Sequence, residues 1–247
     1  MQRYFLDFNP DEKNVSIAGD DYHHIKNVMR MNTGENVYLS NNKQVFLAEI
    51  KEINVTEVIC ELLYEIKNNN ELPFKVTIAQ GLPKGDKFEL IIQKTTELGV
   101  SEIIPVKSER SIIKLDDKKE IKKLERYRKI AKEASEQSHR VKIPDIQEVH
   151  SLKELIKASM PYTYKLVAYE ATSIEDEHNL GHVLSQIKAE ESMIVFIGPE
   201  GGISTHELEL LKENGFSVIG LGKRILRTET APIFLMSCVV YHVEVKG

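Results

Sequence analysis

The stretch Gly198-Pro199-Glu200-Gly201-Gly202-Ile203-Ser204 follows directly on the apolar run Met193-Ile194-Val195-Phe196-Ile197. A short apolar run that empties into glycines and then into Ser204-Thr205-His206-Glu207 reads as a strand, a loop and a helix opened by a capping box. Glycine lets the backbone adopt positive φ and approach a ligand or another segment closely. Further on, Leu221-Gly222-Lys223-Arg224-Ile225-Leu226-Arg227-Thr228-Glu229-Thr230-Ala231-Pro232 repeats the design behind the strand expected at 216–221. Open α/β sheets bind ligands at the carboxyl ends of their strands. Two such loops therefore predict one backbone-lined pocket near the C-terminal end.

Working outward, the rhythm after Pro73 alternates strands and helices. A strand is expected at 74–80, then Gly81-Leu82-Pro83-Lys84-Gly85 and a helix through Leu98 with Phe88, Ile91, Ile92, Thr95 and Leu98 on one face. Further strands are expected at 102–106 and 164–169. A long helix at about 118–139 carries a narrow apolar stripe of Ile121, Leu124, Tyr127, Ala131 and Ala134. The last helix, about 230–245, is apolar nearly all round and so is expected to be covered on several sides. This pattern predicts an α/β layered structure with a mostly parallel sheet. Residues 1–67 read differently: β-rich segments at 3–7, 36–40, 44–53 and 56–66 predict a small barrel. One helix at 20–30 interrupts them, capped by Asp20 or Asp21 and burying Ile25, Val28 and Met29. The polar run Lys67-Asn68-Asn69-Asn70-Glu71 is the expected linker, dividing the chain into 1–70 and 71–247.

Composition narrows the class. The 247 residues are 41% hydrophobic and 29% charged, no apolar run is long enough to span a bilayer, and MQRYFLDFNPDEK lacks a signal pattern. With Cys60 and Cys238 alone there is no disulfide framework, so a cytoplasmic location is expected. The net charge of −5 argues against an indiscriminate coat for nucleic acid, yet residues 106–142 hold 13 basic against 7 acidic side chains. Such a stripe is either a footprint for phosphates or a solvated helix face.

Several chemistries drop out. GPEGG lacks the spacing of the dinucleotide fingerprint, no Gly-Lys-Ser/Thr follows as in a P-loop, and there is neither G-x-S-x-G nor H-E-x-x-H. No metal site is expected. What remains is a pocket of backbone N–H and C=O groups. It suits a flat heterocycle with little phosphate, such as an adenosine-bearing thioether or sulfonium.

GPEGGIS followed by LGKRILRTETAPI resembles the paired C-terminal signature of the SPOUT superfamily of S-adenosylmethionine-dependent RNA methyltransferases. The resemblance is closest to the bacterial family that methylates N3 of one uridine in small-subunit (16S) ribosomal RNA. It extends to HHIKNVMRMNTGE (23–35), LPKGDKFELIIQKTTELGV (82–100), SERSI (108–112) and RYRKIAKEASEQSHR (126–140), nearly end to end. It implies a PUA-like RNA-binding barrel followed by an α/β-knot methyltransferase domain with a C-terminal trefoil knot. It also implies S-adenosylmethionine as cofactor, the small ribosomal subunit as partner, and a homodimer.

On this basis the cofactor is expected among Ile197, Gly198, Pro199, Glu200, Gly201, Gly202, Leu221, Gly222, Ile225, Leu226, Arg227 and Ala231. Uracil N3 is a poor nucleophile until its proton leaves, so the site must favour an anion spread over carbonyl oxygens. A guanidinium suits that task. Arg227 is the first candidate, ahead of Arg110 and Arg30; the general base is expected to be Glu229 or Glu200, the alternatives being that Glu200 braces the loops, that Glu229 serves the helix start, and that the proton goes to water. Phosphate contacts are expected from Arg3, Lys26, Arg30, Lys84, Arg110 and Arg140, with Lys118, Lys119, Lys122 and Lys123 either joining them or only solubilising the helix.

Overall fold

The computed structural model describes residues 1–67, 70–111, 117–169 and 180–246, and for 117–119 the main chain alone. Asn68 and Asn69 of the expected linker, Ile112 of SERSI, and the side chains of Lys118 and Lys119 lie outside the described residues. Two units emerge, Met1–Glu71 with Ser135–Ile143, and Leu72–Ala134 with Pro144–Gly247.

The first unit is built on β1 (Arg3–Phe5), β2 (Asn14–Ala18), β3 (Asn36–Ser40), β4 (Val45–Ile53) and β5 (Glu57–Ile66), paired in the order β1-β3-β4-β5-β2. β1 runs parallel to β3 and the other pairs are antiparallel. Register shifts at Leu47/Ala48 and Ile50/Glu52 bend the β4–β5 ribbon, because a bulge sharpens local twist. Side chains from all five strands, among them Tyr4, Ile17, Leu39, Ile50 and Val58, meet in one core. The result is a mixed half-barrel; among the described residues no pairing joins β1 to β2, so the expected closure is missing at that seam. β2 itself was not expected, although Val15 and Ile17 are buried and their neighbours exposed in plain alternation.

The helix expected at 20–30 is two pieces, α1 (Gly19–His23) and a π-helical turn, His24–Val28. Neither aspartate caps it: the cap position is Ala18, and Asp20 and Asp21 sit in the first turn, where the helix dipole favours carboxylates. In the wider turn the Met29 N–H reaches the His24 carbonyl, which rotates the faces. Ile25 is buried as expected, but Val28 and Met29 are 58% and 40% exposed.

Glu71 is no solvated linker end. Its Oε2 lies 2.5 Å from Arg140 Nη2, and its Oε1 accepts the N–H groups of Val141 and Lys142 at 2.8 and 3.1 Å. Arg3 Nη1 donates to the carbonyls of His139 and Arg140, both at 2.5 Å, and Ser40 Oγ donates to that of Val141 at 2.7 Å. These buried bonds make 135–143 part of the first unit.

In the second unit β6 (Lys75–Gly81), β7 (Glu102–Lys107), β8 (Asp145–Ile146), β10 (Tyr164–Ala168), β11 (Ser192–Ile197) and β12 (Ser217–Ile219) form a parallel sheet in the order β12-β10-β11-β6-β7-β8, with β9 (His150–Ser151) also on β7. In the central β11, Met193 to Ile197 are all buried, the continuous apolar run of a strand covered on both faces. The helices are α2 (Lys87–Glu97), α3 (Asp117–Gln137), α4 (Leu152–Ala158), α5 (Leu180–Gln186), α6 (Thr205–Glu213) and α7 (Thr230–Val240). Ser204 and Glu207 form the expected capping box at α6. A second box, Ser151 with Glu154, opens α4, which the sequence reading passed over together with α5, β8 and β9. The α3 stripe is buried only in its later part: Tyr127, Ala131 and Ala134 are covered, while Ile121 is 62% exposed. α7 ends earlier than expected and continues as a π-helical turn, Tyr241–Val245. No described helix is long and apolar enough to cross a membrane.

Candidate active site

The carboxyl ends of β10 and β11 and the loop after β12 enclose a cavity of about 540 Å³ in the second unit. Every residue expected to hold the cofactor lines it, with Lys87, Arg110, Ala168, Tyr169, Ile203, Arg224 and Thr228 in addition. The walls are backbone where glycine is required. A Cβ on Gly81 would stand 2.5 Å from Pro199 Cδ, and one on Gly201 would stand 2.9 Å from Arg110 Cβ. Neither gap admits a side chain.

None of the main-chain N–H groups from Leu221 to Leu226 donates to a partner among the described residues. A backbone donor left open beside a cavity is available to a ligand or to water. The open donors along this segment, with Ile197, Ile203 and Ala231 as apolar patches, can meet the heterocycle and the apolar parts of an adenosine-bearing sulfonium.

Glu200 is tied down. Its Oε1 takes the Lys84 N–H at 3.1 Å and the Lys87 ammonium at 2.9 Å. Burial alone would raise its carboxyl, but the Lys87 hydrogen bond and main-chain N–H groups outweigh burial and hold it below the usual carboxylate range. Glu200 raises Lys87 in return. A carboxylate so stabilised is a weak base, and its two contacts tie β11's loop to the start of α2, which favours the bracing alternative. Glu229 Oε2 lies 3.4 Å from Lys87 Nζ and accepts no hydrogen bond among the described residues. Arg227 lines the cavity with an exposed guanidinium that has no partner among the described residues. Arg110 Nη1 donates to the Gly201 carbonyl at 2.9 Å. The loop bearing it is fixed by the Glu109 N–H on buried Glu207, at 2.8 Å, and by Ser204 and His206 on the Glu109 carboxylate, at 2.6 and 2.8 Å.

The expected phosphate contacts separate. Arg30 and Lys84 are exposed, and Lys26 is engaged by the Tyr22 hydroxyl and the Asn54 carbonyl. Arg3 and Arg140 are only 6% and 3% exposed, and their guanidiniums are spent inside the first unit. Guanidiniums this deeply buried cannot reach a phosphate, so these two hold the first unit together instead, although Arg3 Nε itself has no partner among the described residues. Lys87 and Gln80 went unanticipated at the site. Lys87 shows no periodic signal, and Gln80, a polar residue at the end of the expected strand and just ahead of Gly81, was the one legible hint.

Comparison with known proteins identifies the family. Residues 70–240 match the RNA methyltransferase domain family, and residues 17–63 match the RNA methyltransferase PUA domain family. A parallel α/β sheet with this cavity, joined to such a PUA unit, defines an RNA methyltransferase. More narrowly, the chain belongs to the ribosomal RNA small subunit methyltransferase E family. It is 43% identical to the Bacillus subtilis protein of that name, over 99% of this chain and 98% of the relative. The Mesomycoplasma hyopneumoniae protein is 34% identical, over 96% and 98%. A crystal structure of the Neisseria gonorrhoeae protein bound to S-adenosyl methionine is similar with a TM-score of 0.85 and 32% identity, covering 97% of each chain.

Proposed function

We propose that the chain transfers the methyl group of S-adenosylmethionine to N3 of a uridine in 16S ribosomal RNA, with the cofactor seated between the Ile197–Ile203 and Leu221–Ala231 segments. The observation that carries this reading is the cavity lined by both glycine loops and their open backbone donors, in a chain of this family. Bound there, the cofactor supplies a methyl group on a sulfonium, ready for in-line transfer. The chain's own residues prepare the acceptor. Arg227 stabilises the charge that grows on the uracil carbonyl oxygens as N3 loses its proton, with Arg110 as a second donor. Glu229, whose buried Oε2 stands 3.4 Å from the Lys87 ammonium, takes that proton. Arg30, Lys84 and the exposed cations of α3 hold phosphates, while the target base is splayed into the cavity.

The same reading includes a homodimer and the knot. Phe234, Tyr241 and Val245, at 38%, 58% and 66% exposed, leave an apolar face at the C-terminus that suits a second copy. The knot is supported by the path of the chain: from the edge strand β12 it passes back beyond β10 and β11, and α7 packs against α2. The test of the reaction is methylation of 30S subunits from a strain lacking the enzyme, with mass spectrometry of the modified nucleoside. Production of 3-methyluridine at one position is expected; methyl on ribose or on another ring atom would refute the assignment.

A further inference from the structure

Behind the cavity lies a polar side chain that the reaction does not touch. Gln80, at the end of β6, is fully buried and does not line the cavity. Its Nε2 donates to the Gly81 carbonyl and to Thr228 Oγ1, each at 3.0 Å, and stands 3.4 Å from the carbonyls of both Ile197 and Gly198. Four oxygens around one nitrogen settle the orientation of the amide, since a flipped Oε1 would face carbonyl lone pairs. Direction then follows. Because Gln80 can only donate, Thr228 Oγ1 accepts, and its own proton goes to the Gly198 carbonyl at 2.8 Å. A one-way relay runs from β6 through the residue after Arg227 to the first residue of the GPEGG loop.

The relay leaves Gln80 Oε1 buried with no partner among the described residues. An amide kept in a core with an unsatisfied acceptor works against stability, and such violations gather where a site demands them. We propose that Gln80 and Thr228 are a positioning pair that sets the spacing of the two cofactor-binding segments and thereby the affinity for S-adenosylmethionine. This rests on the reading above that the cavity takes that ligand. Neither residue is asked to touch the reacting atoms.

The test uses the full-length protein, calorimetry with S-adenosylmethionine and with S-adenosylhomocysteine, and thermal melting. Thr228→Ser keeps the hydroxyl and should bind within about threefold of wild type, whereas the isosteric Thr228→Val should bind at least about tenfold more weakly, a range set by the loss of a buried hydrogen-bond link. If Thr228 served the ligand by direct contact, Gln80 would be irrelevant to it. The coupling distinguishes the two: Gln80→Met should weaken binding alone but add less than about threefold in the Thr228→Val background, because both break the same chain. Full additivity of the two losses, or wild-type affinity in folded Thr228→Val, would overturn the pair. Failure of the wild type to bind either ligand would instead overturn the cofactor assignment, and this inference with it.

Discussion

At the residue scale, function divides between groups left free and groups tied down. The Arg227 guanidinium has no partner among the described residues, so its removal should leave the fold and the loops lining the cavity intact. Arg227→Ala is expected to bind S-adenosylmethionine within about threefold of wild type but to lose about a hundredfold to a thousandfold in methyl transfer, the usual loss for one such donor; single-turnover assays on 30S subunits measure it. Gly201→Val fails earlier: a side chain there meets Arg110 Cβ at 2.9 Å, and cofactor affinity itself should fall, as calorimetry would show. Glu200 predicts a pH dependence. Its folded carboxyl is depressed, so the stability it contributes is full above the ordinary value of 4.5 and lost as pH falls through the lower folded value. Glu200→Gln should therefore melt closer to wild type in strong acid than at neutral pH, and an offset constant across that range would refute the brace.

At the element scale, the two capping boxes are alike in sequence but not in surroundings. Ser151 serves α4 alone, whereas Ser204 caps α6 and also donates to Glu109 beside Arg110. Ser151→Ala should cost about 1 kcal/mol in urea denaturation, an ordinary cap loss, with turnover unchanged. Ser204→Ala should show a comparable cap loss and reduced turnover besides, because the loop carrying Arg110 loses an anchor. Equal turnover in the two variants would mean that the Glu109 contact does nothing for the site.

On the scale of the whole molecule, a boundary drawn from composition near residue 70 misses the return of 135–143 to the first unit. Glu71→Ala removes one member of the buried Glu71–Arg140 ion pair and the acceptor of the Val141 and Lys142 N–H groups. Removing one member of a buried pair typically costs about 3–5 kcal/mol, and chemical denaturation should find that loss. A fragment of residues 72–247 retains 135–143 without Glu71, Arg3 or Ser40. It should expose Val141, now 7% accessible, and aggregate more readily than the full chain under the same light-scattering conditions.

By itself the sequence determined the class and the two loops that come to line one cavity. Glycine loops after apolar runs, helical spacing in α2, the capping box of α6 and the paired C-terminal motifs are local signals, readable because each depends on neighbours along the chain. Only tertiary structure decided which charges are free. Arg3 and Arg140 look like phosphate ligands until the fold buries them, and Arg227 and Arg110 look alike until one is seen on the Gly201 carbonyl. Glu200 reads equally as a base or a brace until Lys87, 113 positions away, is found bonded to it. Gln80 reads as the end of a strand until 148 positions of chain fold back to bring Thr228 against it. Charge and hydrogen-bonding capacity are written in the residue type, but desolvation and partnership come from groups distant in sequence, and those exist only once the chain has folded.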